Sequence, residues 1–171
     1  MPSPTSAAAV ANAFLDIQAA DATQFPPIDQ MKLQNLVYYA HAWFLAYNDG
    51  SPLFEENVHA WPWGPVIPPL YGDFASFGQA PIAGHRATML VRSGNGPLDF
   101  HIHTPPEPSA EVMNFLRGVW ETHKRYTGVQ LSNATHAPGE PWYIVKQEYG
   151  NLDSKPLIPN NLIYDVFRAR N

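Results

Sequence analysis

Proline is the residue that most limits the folds open to this chain. Eighteen prolines are spread over 171 residues, roughly double ordinary usage, and they are not gathered into a linker. Each one stops or kinks a helix and withdraws a backbone donor, so the expected architecture is a set of helices interrupted often by ordered loops. With 45% of residues apolar and 15% charged, the chain can still bury a real core as one globular domain. Cysteine is absent, which removes any disulfide framework, thiolate metal site or thiol nucleophile.

Between the prolines, apolar spacing marks the elements. After an arm from Met1 to Ser6 that is expected to be mobile, Val10, Ala13, Phe14 and Ile17 predict a first helix from about Ala7 to Ala19. Asp29 offers an N-cap to the strongest helix, whose stripe of Leu33, Leu36, Val37, Ala40, Trp43, Phe44 and Tyr47 ends at Asn48, Asp49 and Gly50. The opposite face of that helix carries Lys32, Asn35 and Tyr39, while Gln34 and His41 share a flank where they could meet a neighbouring element. Ser51 to Pro69 reads as irregular, with a short helix resuming at Pro69 to bury Leu70, Phe74 and Phe77. Ala87 to Arg92 and Leu98 to His103 flank a turn-like Ser93 to Pro97 and predict one β-hairpin with Leu98, Phe100 and Ile102 on one face. A lone hairpin is marginal in water, so it is expected to pack against the helices. Ser109 can cap a helix striped by Val112, Phe115, Leu116, Val119, Trp120 and His123, with Glu121 and Arg125 paired outside. Two shorter helices, about Leu131 to His136 and Trp142 to Tyr149, precede a last one capped by Asn160 and presenting Leu162, Ile163, Val166 and Phe167. The fold class is therefore mainly α (α+β): a compact bundle of five to seven helices with one small β-hairpin, forming a single domain over residues 7–171.

Charge and motifs narrow the function. A formal net charge of -5 supplies no general field for a phosphate backbone, so nucleic acid is not expected as the primary ligand. Met1 to Gln18 carries no Lys or Arg and its short apolar run ends at Asp16, fitting neither a signal peptide nor a membrane span; a cytoplasmic protein without a membrane partner is expected. There is no Gly-x-Ser-x-Gly elbow, no Walker run and no His-Glu-x-x-His pair. His136 sits near Ser132, Thr135 and Glu140, but without a sign of an orienting acid or oxyanion hole it reads as a partly buried histidine bonding a loop carbonyl. Asp99, His101 and His103 alternate onto one side of the hairpin strand, where geometry permits a divalent metal, although exposed polar residues on an outer strand face are the commoner case. A metal- or histidine-dependent hydrolase is thus the alternative reading. The main expectation is a non-enzymatic protein with no cofactor and no metal. Trp61 to Tyr71, by contrast, holds large rings on rigid prolines, good material for an interface. Trp61 and Trp63 read chiefly as core packing, with Trp63 and Tyr71 the rings most able to reach out.

The order of these pieces is itself informative: Lys32-Leu33-Gln34 leads into Leu36-Val37-Tyr38-Tyr39-Ala40, then Pro52-Leu53-Phe54, Ala60-Trp61, Gly64-Pro65-Val66 and Leu70-Tyr71, and later Leu131-Ser132, Thr135-His136 and Pro141-Trp142. The series resembles the SocA-like family of bacterial and phage-associated proteins, the Panacea antitoxin domain, over about Ala8 to Phe167. The resemblance implies a mostly helical fold and an antitoxin that neutralises a cognate toxin protein by direct binding, without catalysis. One branch is similar to a proteolytic adaptor that presents its toxin to the ClpXP protease. Lys32, Leu33, Gln34, Tyr38, Trp61, Gly64, Pro65, His136 and Trp142 are then family-motif scaffold residues. Asn35 stands where the family usually has Lys, and residues 87–103 fall in a region that varies between members. Partner contacts are accordingly expected on the outer face of the second helix at Asn35 and Tyr39, at Trp63 and Tyr71, and on the hairpin with His101 and His103.

Overall fold

The structure, a computed structural model, describes residues 4–171. Of the expected N-terminal arm, Met1 to Ser3 lie outside the described residues. The rest is tied down: Thr5 donates its N–H to the Leu53 carbonyl at 2.9 Å and bridges Phe54, and the Ser6 hydroxyl accepts from Ala9 N–H as the N-cap of the first helix. That helix, α1 (Ala7–Ala20), packs Val10, Ala13 and Phe14 inward.

The second helix, α2 (Gln30–Tyr47), is the axis of the molecule. Asp29 caps it by accepting from Lys32 N–H, and Leu33, Leu36, Val37, Ala40 and Leu45 are fully buried as their spacing requires. The expected outer face does not exist, because Lys32, Asn35 and Tyr39 are buried as well. Other elements cover α2 on nearly every side: α1, α3 (Pro68–Phe74), α4 (Ala110–His123), α5 (Gly128–Thr135) and α7 (Asn160–Arg168). The flank residues do reach neighbours as anticipated. Gln34 Oε1 accepts from Ile67 N–H at 3.1 Å, and His41 Nε2 meets Asn160 Oδ1 at 2.9 Å. Asn160 is consequently not the cap of α7 but its first residue, with Pro159 at the cap position.

Two close approaches lock the start of α2. Lys32 Nζ donates to the carbonyls of Pro26 (2.6 Å) and Lys124 (2.7 Å) and lies 5.3 Å from the centre of the Trp120 ring. Burial lowers its pKa to about 8, with the Asp29 charge opposing. Gly128, at the start of α5, lies so near α2 that a Cβ there would come within 2.6 Å of Asp29 Oδ1 and 2.7 Å of Lys32 N.

The stretch read as irregular contains a second hairpin. Strands β1 (Val58–Trp61) and β2 (Gly64–Val66) pair antiparallel, Trp61 opposite Gly64, and β5 (Leu157–Ile158) joins the free side of β1. Proline blocks helices here but not this sheet: in the order β2-β1-β5, Pro65 stands on an edge strand, where a missing donor is tolerated. Gly64 adopts φ 133°, open to glycine and rarely to other residues.

The anticipated hairpin is present as β3 (Met89–Arg92) and β4 (Phe100–His103), with Leu90 opposite Ile102. Leu98 falls in the turn, outside the strand. Contrary to expectation, the hairpin does not lie down on the helices. Every residue of β4 is exposed, and Leu90 and Ile102 are 67% and 74% exposed on the outward face. Its base is fastened instead: Asn12 exchanges two hydrogen bonds with the Ala87 backbone, Asp73 accepts from Thr88, and Arg86 pairs with Asp16 at 2.7 Å. Ser109 caps α4 as expected, whereas Glu121 pairs with Lys124 rather than with Arg125. The helix α6 (Pro141–Tyr149) completes a fold of seven α-helices, a single 3₁₀ turn (Ala75–Phe77) and five short strands among the described residues. No helix among them is long and apolar enough to cross a membrane.

Candidate functional site

The β1–β2 turn is the point on which most motif residues converge. Trp142 Nε1 donates to the Trp61 carbonyl at 2.8 Å, and Ser132 Oγ donates to the Trp63 carbonyl. Thr135 Oγ1 donates in turn to the Ser132 carbonyl at 2.6 Å. His136 stacks on Trp142 with ring centres 4.0 Å apart, and burial, followed by the nearby Lys146 charge, lowers its pKa. The absent Gly64 side chain leaves room for these groups, since a Cβ there would lie 3.3 Å from Thr135 Oγ1 and 3.6 Å from Ser132 Oγ. The hydroxyls of Ser132 and Thr135 thus donate to backbone carbonyls and hold backbone in place.

Held in this way, the turn presents an aromatic triad. Trp61 and Trp63 lie 5.5 Å apart, Trp61 and Tyr71 5.0 Å, and Trp63 and Tyr71 6.2 Å, with Lys155 Nζ 4.2 Å from the centre of the Trp61 ring. Trp61 and Tyr71 are half-buried. Trp63 is 41% exposed, so only part of the pair expected to be core packing is covered.

Beside the triad opens a pocket of about 470 Å³. Its floor is the first half of α2, from Asp29 to Asn35, and its walls come from Trp63, Pro65, Val66, Tyr71, Gln79 and Val129. Three of the six expected contact residues, Asn35, Trp63 and Tyr71, therefore meet around one cavity. The other three do not join them. Tyr39 stacks on His123 at 4.8 Å and packs against Phe167, inside the protein. His101 and His103 stand exposed on β4 with ring centres 6.2 Å apart. Asp99, which alternation placed beside them, turns its carboxylate into the hairpin turn to accept from Gly96 N–H at 2.7 Å. Among the described residues no group of three or more His, Asp or Glu is arranged to hold a metal. Met31 and Val129 escaped the sequence reading because they belong to no stripe: each faces the gap between two elements, and only the packing of α5 on α2 creates that gap.

Comparison with known proteins places the chain. Residues 33–143 match the family described as Antitoxin SocA-like, Panacea domain. The chain is also 33% identical over 168 residues to Antitoxin SocA of Caulobacter vibrioides (strain NA1000 / CB15N), an alignment covering 98% of this chain and 85% of that one. The chain belongs to the SocA-like, Panacea-domain antitoxin family. No solved structure matches it. In this SocA-like chain the matched residues run from the second turn of α2 to the start of α6. They include the whole β1–β2 turn, Ser132, Thr135 and His136 that brace it, the outward hairpin, and the pocket lining from Gln34 onward.

Proposed function

We propose that this protein is a cytoplasmic antitoxin, a single domain over residues 7–171, that neutralises a cognate toxic protein by direct, non-catalytic binding. The observation that carries this reading is the braced aromatic turn beside the 470 Å³ pocket, in a chain similar along nearly its whole length to an antitoxin. Rigid, part-exposed Trp and Tyr rings contribute large contact area at low entropic cost and dominate binding hot spots. The outward face of the β3–β4 hairpin, with His101 and His103 on its inner side, is the second contact surface in this reading. The family resemblance extends the proposal to delivery of the toxin to the ClpXP protease.

The test is expression of the adjacent reading frame with and without this chain. Growth arrest relieved by the chain, together with stoichiometric co-purification of the two products, supports the proposal; arrest without rescue and no co-purified protein would refute it. Delivery makes a separate claim: toxin half-life should shorten when the chain and ClpXP are both present. An unchanged half-life would leave neutralisation by occlusion alone.

A further inference from the structure

The pocket beside the aromatic turn asks for a hydrogen-bond donor. Asn35, 2% exposed on its floor, donates through Nδ2 to the Met31 carbonyl at 2.9 Å, while its Oδ1 has no partner. A buried, unpartnered acceptor costs free energy until something donates to it. No neighbouring amide donates to it, and the recorded bonds of those amides run elsewhere. Gln34 Oε1 accepts from Ile67 N–H, Gln34 Nε2 donates to Gln30 Oε1, and Gln30 Nε2 donates to the Tyr71 carbonyl. The one charged residue of the described lining is Asp29, whose Oδ1 caps α2. No Lys or Arg lines the pocket, and the chain as a whole carries a net charge of -5.

The surrounding walls define the rest of the occupant. Trp63 and Tyr71 offer ring faces tilted by 38° and 6.2 Å apart, and Met31, Pro65, Val66 and Val129 supply apolar surface. The volume falls within the roughly 300–1,000 Å³ usual for pockets that enclose a ligand. An occupant that donates hydrogen bonds, carries positive charge and has a flat body able to lie against rings is a guanidinium group. A lysine ammonium has the charge but no flat face, and an aliphatic side chain leaves Asn35 Oδ1 unsatisfied.

We propose that this pocket is an anchor site for an arginine side chain of the bound protein, lying against Trp63 and Tyr71 and donating to Asn35 Oδ1. The proposal rests on the antitoxin reading for the source of that arginine; the chemistry of the pocket stands apart from it.

The test has two arms on the full chain. In the first, ¹⁵N-labelled protein is titrated with N-acetyl-arginine methylamide and with the lysine, leucine and glutamate analogues. The arginine analogue should give saturable shifts at the Asn35 side-chain amide and the Trp63 indole, with weaker responses to lysine and none to glutamate. Asn35→Leu should weaken the response by about tenfold or more, as expected for loss of a hydrogen bond to a charged group. Trp63→Leu, which removes one of the two rings at the pocket, should weaken it several-fold while the far-ultraviolet circular dichroism and unfolding midpoint report whether the fold is kept. No saturable shift, or equal binding of leucine and arginine analogues, would overturn the proposal. In the second arm, each arginine of the adjacent-frame protein is changed to Ala. One of these changes should weaken the complex about as much as Asn35→Leu, and combining the two should cost no more than either alone. A complex that forms normally but shows no such coupled arginine would overturn the anchor role. A wild-type chain that binds the arginine analogue but captures no toxin would uphold the site and refute the antitoxin reading.

Discussion

Lys32 shows how much one buried side chain can hold. Its ammonium bonds to two carbonyls from segments far apart in the chain, at Pro26 and Lys124, instead of to a carboxylate. Removing it takes a charge out of the interior but strands both acceptors, and unpaired buried groups cost more than the bond they replace gains. Lys32→Met should therefore destabilise the protein by about 2–3 kcal/mol in urea unfolding; an unchanged midpoint would mean that water reaches these carbonyls. Gly128→Ala drives a methyl against Asp29 Oδ1 and Lys32 N. Its expected cost is about 1–3 kcal/mol, and more if α5 cannot shift, read from the same unfolding curves. Neither role was visible in the sequence beforehand. Helical spacing records which residues are apolar, and so it puts Lys32, Asn35 and Tyr39 on an outer face. What it does not record is that another element covers that face.

At the level of elements, caps and stripes were readable where one helix packs one face inward. Asp29 and Ser109 cap the helices they were expected to cap, and α1 and α6 begin and end close to their anticipated limits. The β1–β2 pair was missed because strands of four and three residues have no period to detect, and their prolines register only as helix breakers. The turn at Ser93 to Pro97 predicts the β3–β4 hairpin but not its packing, since the bonds that steady it come from Asn12, Asp16 and Asp73 at its base. A test of its role follows from that geometry. Leu90→Ser with Ile102→Ser alters two outward, largely exposed side chains and should change unfolding free energy by no more than about 0.5 kcal/mol. The same pair of changes should reduce capture of the adjacent-frame protein in pull-down. Unchanged capture would remove the hairpin from the contact surface.

For the molecule as a whole, acid should be the weak side. Burial lowers the pKa of His41 from 6.5 to about 4, despite its bond to Asn160, and it also lowers those of His123 and His136. A histidine with a depressed folded pKa binds fewer protons folded than unfolded, so unfolding free energy falls as pH drops through that interval. Thermal melts between pH 6.5 and 4 should show this loss, at most about 1.4 kcal/mol per pH unit from one such group. His41→Gln should flatten the dependence; an identical slope would exclude His41 as its source. The fold class was legible because most helices bury a simple face, while the site was only partly so: Trp63 and Tyr71 stood out by type, but the cavity they share with Asn35 exists only once α5 meets α2. The braced turn has a further consequence, for time rather than affinity. With the carbonyls of Trp61 and Trp63 both held by side chains from later helices, an incoming protein meets this turn in its final shape. Stopped-flow mixing should then give one phase whose rate rises in proportion to concentration, and a second, concentration-independent phase would mean that the turn must rearrange before it can be gripped.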